Sequence, residues 1–122
     1  MTKLQLLLAG AVAATATPSG ALAGYHQTVE VTFYSNFTYG SVSDVRRSAD
    51  NVQYIQCVDY GSYGVCRARD KSGVSRACTT YDATLRALMG NINDTSLIRF
   101  QYALSGSTCA LVEVTNSSIY LD

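Results

Sequence analysis

Tryptophan is absent from this sequence, and histidine occurs once, as His26. A single imidazole leaves little room for His-based acid–base or nucleophilic chemistry. A catalytic dyad also needs a nucleophile and an orienting group close by, and the abundant Ser and Thr make that requirement uninformative. His26 therefore reads as a surface residue near a frayed end. No G-x-S-x-G, H-E-x-x-H or Gly-rich phosphate loop occurs. Glutamate occurs only at Glu30 and Glu113. Both fall on predicted strands and read as solvent-facing charges rather than as the carboxylate pair of a glycosidase. No CxxC pair is present, and the cysteine spacings of nine, twelve and thirty-one residues do not resemble a zinc site. The expectation is a protein that is not an enzyme, with no cofactor and no metal.

Nor does either sign of charge dominate: nine basic residues face nine acidic ones. Nucleic acids and anionic membranes need a basic face, so neither is an expected partner. Long apolar runs are also lacking, with one exception at the start. Lys3, the short apolar stretch 4–16 and the small-x-small triplet Ala21-Leu22-Ala23 read as a secretory signal peptide over residues 1–23, too short for a membrane span. Cleavage near Ala23 would leave residues 24–122 as a single domain, exported to an extracellular or periplasmic space. The cysteines agree, because disulfides persist in oxidising compartments. Two of them would add about 2–4 kcal/mol each.

What is present is concentrated between Val52 and Thr80, which hold three of the four cysteines. Tyr60-Gly61-Ser62-Tyr63 suits a two-residue hairpin loop, since Gly accepts positive φ. Counting outward from it pairs Tyr60 with Tyr63, Val58 with Val65, and Cys57 with Cys66. Asp70-Lys71-Ser72-Gly73 suits a type I turn with a Gly bulge, and pairs Asp70 with Val74 and Cys66 with Cys78. Both flanking cysteines thus face Cys66, and Cys109 takes the one left over. The favoured connectivity is Cys57–Cys66 with Cys78–Cys109; the alternative is Cys66–Cys78 with Cys57–Cys109.

The remaining elements follow from periodicity. Residues 26–35 alternate Val29, Val31 and Phe33 with polar residues, as a half-buried strand does. Residues 36–51 read as a surface loop with a short extended piece over 37–42. Thr79 or Thr80 would cap a helix over 83–89, with Asp82 in its first turn and Leu85, Leu88 and Met89 on its apolar stripe. Residues 96–104 and 108–115 form two further strands around a turn, and 119–121 a terminal strand or tail. The predicted class is α+β: an antiparallel β-sheet of about five or six strands in the order β-βββ-α-ββ, one helix and two disulfides.

Tyrosine is the abundant aromatic, with nine residues against three Phe. Tyr offers large area, few rotors and a polar tip to a binding face. Tyr60 and Tyr63 bracket the first turn, with Tyr54 nearby. Arg67 and Arg69 alternate on one strand and share a face; Arg76, opposite Ala68, belongs to the other. Tyr54, Tyr60, Tyr63, Arg67 and Arg69 are the candidate partner-binding residues. Three N-x-S/T sequons begin at Asn36, Asn93 and Asn116 and would carry glycans in a host that modifies them.

Tyr54-Ile55-x-Cys57, Cys66-x-Ala68-Arg69-Asp70, Cys78, Gly106 with Cys109, and Asn116-Ser117-Ser118-x-Tyr120 together resemble small exported bacterial four-cysteine proteins of unknown function, over residues 53–120. The resemblance rests on framework and turn residues. It implies a fold, assigns no active or binding residue, and implies that the sequons are unmodified. The functional expectation is a small secreted protein that binds an extracellular glycan or protein partner through Tyr-rich strands and turns. A structural component of an envelope, coat or matrix, and a secreted effector or hydrolase inhibitor, are the alternatives.

Overall fold

The computed structural model describes residues 24–103 and 106–121; the expected signal peptide lies outside them. Among the described residues, seven strands build two antiparallel sheets. In the first, β1 (Thr32–Tyr34), β2 (Phe37–Ser41), β6 (Ser96–Tyr102) and β7 (Cys109–Asn116) lie in the order β1-β2-β6-β7. In the second, β3 (Tyr54–Asp59), β4 (Gly64–Arg69) and β5 (Ser75–Thr80) form a meander. Helix α1 (Val42–Arg46) follows β2, α2 (Ala83–Met89) follows β5, and a 3₁₀ turn (Ser118–Tyr120) follows β7.

The meander has the register expected from its turns. Cys57 pairs with Cys66, Val58 with Val65, Cys66 with Cys78 and Ala68 with Arg76. Gly61 and Gly73 have φ of 99° and 86°, values that L side chains rarely adopt. Tyr60 N–H donates to Tyr63 O at 2.8 Å, and Asp70 N–H to Val74 O at 3.0 Å. The disulfides are Cys57–Cys66 and Cys78–Cys109. The first cross-links neighbouring strands; the second ties the meander to β7 of the other sheet.

The two sheets share one core. Ile55, Cys66, Ala68 and Cys78 from the meander cluster with Ile98, Phe100, Cys109 and Val112 from the larger sheet. Arg76 closes the seam. It leaves the inner face of β5, donates to Ser35 O at 2.8 Å and Phe37 O at 3.3 Å, and lies 4.4 Å from the Phe33 ring centre. Helix α2 covers the end of the hairpin with Met89, which fills the space that Gly64 leaves by having no side chain.

The expected α+β class holds, mainly antiparallel β with some helix and with both favoured disulfides. In detail, the described residues place seven strands in two sheets, and α1 adds one short five-residue turn to the expected helix. Four further expectations are corrected. The strand expected over 26–35 is paired only at Thr32–Tyr34, because 27–31 instead docks on α1 and the C-terminal turn. The extended piece expected over 37–42 is β2, but the segment 36–51 is not a surface loop: β2 lies between β1 and β6, and Thr38, Ser41, Ser43, Asp44 and Val45 are buried. The cap of α2 is Asp82, whose carboxylate accepts from Thr84 and Leu85 N–H groups. Residues 119–121 form no strand, and Ser118–Tyr120 makes a single 3₁₀ turn.

His26 is also not at a frayed end. Its Nε2 is 3.0 Å from Oδ1 of the buried Asp44, whose other oxygen accepts from Val29 N–H at 2.9 Å. Ser41 secures both ends of the described chain. Its N–H donates to Val29 O, its hydroxyl donates to Tyr120 O, and Gln27 N–H reaches Ile119 O.

Candidate functional site

Residues directly paired in an antiparallel sheet share a face, and the burial of β4 alternates strictly: Gly64, Cys66 and Ala68 are buried, while Val65, Arg67 and Arg69 are half-buried. The pairings Tyr54–Arg69, Gln56–Arg67, Val58–Val65 and Tyr60–Tyr63 therefore stack along the outer face of the first hairpin. All five candidate residues from the sequence lie on this one strip. At a strand rise of about 3.4 Å per residue it runs roughly 20 Å.

The two ends of the strip differ. At the turn, the Tyr60 and Tyr63 rings stack with centroids 5.0 Å apart, and Tyr81 adds a third ring 6.0 Å from Tyr63. Tyr60 is 52% and Tyr81 75% exposed. Tyr81 was not among the sequence candidates; it follows β5 and reaches Tyr63 through the pairing of β4 with β5. At the far end, Arg69 lies 5.0 Å from the Tyr54 ring centre, and its Nε donates to Val52 O at 2.7 Å. Between them, Arg67 Nε is covered and has no hydrogen-bond partner.

The turn is held from below as well as by the Cys57–Cys66 bridge. Asp59 Oδ1 accepts from Gly61 N–H and from Arg86 Nε, both at 2.9 Å. Arg86 also donates to Gly61 O. The Gly61 amide, then the Arg86 guanidinium, hold the Asp59 carboxyl below its ordinary range. The aromatic end of the strip thus stands on a braced loop.

The four-stranded sheet carries a separate cleft of about 400 Å³ lined by Tyr34, Phe37, Tyr39 and Arg99. None of these was a sequence candidate. Arg99 and Tyr39 are register partners on β6 and β2, which only the tertiary fold brings together.

The three sequons differ in engagement. Asn36 donates to Tyr102 O, and Asn116 contacts Ser96 Oγ and Asn91 O. The Asn93 side chain accepts from the N–H and hydroxyl of Thr95, and the residue is exposed. Among the described residues no group of three or more His, Cys, Asp or Glu is placed to hold a metal ion, and no helix is long and apolar enough to cross a membrane. Comparison with protein-family models, curated proteins and solved structures returned no match.

Proposed function

We propose that this is a secreted, non-enzymatic binding protein that engages an extracellular glycan or protein along the outer face of its first hairpin. The observation that carries the reading is the convergence of Tyr54, Tyr60, Tyr63, Arg67 and Arg69 on one side of two paired strands. A strip of roughly 20 Å suits an extended ligand. Rigid aromatic anchors lose little side-chain entropy on binding. Two disulfides fit export, because an oxidising compartment keeps them formed.

The test is a glycan array and an extracellular-protein pull-down with the exported chain, repeated with Tyr60→Ala/Tyr63→Ala and Arg67→Ala. A retained glycan or protein that both variants lose at least tenfold is expected. Retention of nothing, or retention indifferent to both variants, would overturn the reading. The braced, exposed turn also favours a second reading, a hydrolase inhibitor presenting Tyr60 to a cleft, which a hydrolase panel would detect.

A further inference from the structure

The cleft on the four-stranded sheet lies apart from the hairpin strip and is built differently. Phe37, Tyr39 and Arg99 sit on the outer faces of β2 and β6, and Tyr34, 70% exposed, closes the side next to β1. Arg99 lies over Phe37, its guanidinium carbon 4.2 Å from the ring centre. That arrangement covers one aromatic face with a cation and leaves Tyr34 and Tyr39 as the cleft's open rings. Across the sheet, Arg99 Nε is 3.2 Å from Glu113 Oε1. The contact is an ion pair without a hydrogen bond, because Arg99 Nε has no hydrogen-bond partner.

We propose that this cleft is a subsite for one uncharged sugar ring of a saccharide chain. Three features select that occupant. Its volume of about 400 Å³ falls toward the small end of ligand sites, about 300–1,000 Å³. Its aromatic faces attract the weakly positive C–H face of a pyranose, as they attract other positive edges. Its polar lining group is Arg99, and Glu113 stands beside Arg99 on β7 at the cleft's edge, 3.2 Å from Nε, so that donors and an acceptor lie side by side with no net charge.

A sugar hydroxyl donates and accepts at once and can pair with both. A sulfated or phosphorylated ligand would have to compete with Glu113 for the cation. A proline-rich peptide, the other usual occupant of aromatic grooves, presents carbonyls without N–H groups and leaves Glu113 unmatched. The site goes beyond the hairpin strip, and stands or falls without it.

The experiment is an amide-resolved NMR titration of the exported chain with neutral oligosaccharides of glucose, xylose, mannose and N-acetylglucosamine, alongside dextran sulfate and a polyproline peptide. The expected result is saturable shifts at the amides of Tyr34, Phe37, Tyr39 and Arg99 with a neutral sugar. Tyr39→Ala and Arg99→Met should each weaken binding at least tenfold. Tyr34→Ala, a change on an exposed side chain, should weaken it as well while melting remains cooperative. Tyr60→Ala/Tyr63→Ala should leave these shifts in place. Shifts with none of the sugars, preference for dextran sulfate or polyproline, or binding lost only in the Tyr60/Tyr63 variant would overturn the proposal. The last outcome would leave the hairpin reading standing.

Discussion

Cys66 and Cys78 stand directly opposite one another on β4 and β5, yet each is bonded elsewhere, to Cys57 and to Cys109. Removing one partner therefore releases a thiol beside a disulfide. In Cys57→Ala the free Cys66 should attack the Cys78–Cys109 bridge and yield Cys66–Cys78 with Cys109 free, which peptide mapping under non-reducing conditions would show. The two bridges also differ in the loops they close, of 9 and 31 residues. Chain entropy assigns about 3 kcal/mol to the shorter and about 4 kcal/mol to the longer. The double variant Cys78→Ala/Cys109→Ala should thus melt below Cys57→Ala/Cys66→Ala.

Arg76 joins the two sheets through the carbonyls of Ser35 in the β1–β2 connection and Phe37 at the start of β2, and through the Phe33 ring. Its loss removes charged hydrogen bonds worth about 1.5–3 kcal/mol and a cation–π contact of about 0.5–2 kcal/mol. Arg76→Ala should be destabilised by roughly 2–4 kcal/mol in denaturant titration. Arg76→Lys should recover only part of this, because an ammonium cannot lie flat on the ring and reach the same carbonyls.

Gly64 is close to Met89. A Cβ at position 64 would come within 2.7 Å of Met89 Sδ. The clash falls on the far end of a flexible Met side chain that can swing aside, so Gly64→Ala should lower the urea midpoint only slightly, by about 1 kcal/mol or less, the low end of overpacking costs. Met89→Ala alone opens a cavity and costs about 2–5 kcal/mol. Together the two should be less damaging than their sum, and a double-mutant cycle would measure that coupling.

Acid should loosen the braced turn. The Asp59 carboxyl is held below its ordinary value by the Gly61 amide and by Arg86, so protonation is harder in the folded chain than in the unfolded one. Its contribution is present above the ordinary carboxylate value and is lost as pH falls through the lowered one. Asp59→Asn should melt below the unsubstituted protein near neutral pH, and the gap should narrow as pH falls below the ordinary carboxylate range. A gap independent of pH would assign the effect to geometry rather than charge.

The meander was legible because two turns bracket it. Gly61 and Gly73 pin both loops, and every pairing follows by counting. Of the β2–α1 segment only the extended piece was legible; its burial was not, because apart from Val45 its inward residues are Thr38, Gly40, Ser41, Ser43 and Asp44, a mostly polar run whose burial depends on partners elsewhere in the chain. Asp44 is satisfied by His26 and by the Val29 amide, and neither contact has a local signature. The hairpin strip was readable from period two alone. Tyr81 was within reach of the same counting, since position 81 falls opposite position 63 in the β4–β5 register, whereas the cleft was not, because Tyr39 and Arg99 meet only where β2 pairs with the distant β6.

The placement of Ser41 has a bearing on how the molecule opens. One residue holds Val29 through its amide and Tyr120 through its hydroxyl, while Gln27 and Ile119 bond each other. Neither end can peel away without taking a partner from the other. The two should open as one cooperative unit in local unfolding, and their amides should share a single opening free energy in hydrogen exchange, although almost the whole described chain separates them in sequence.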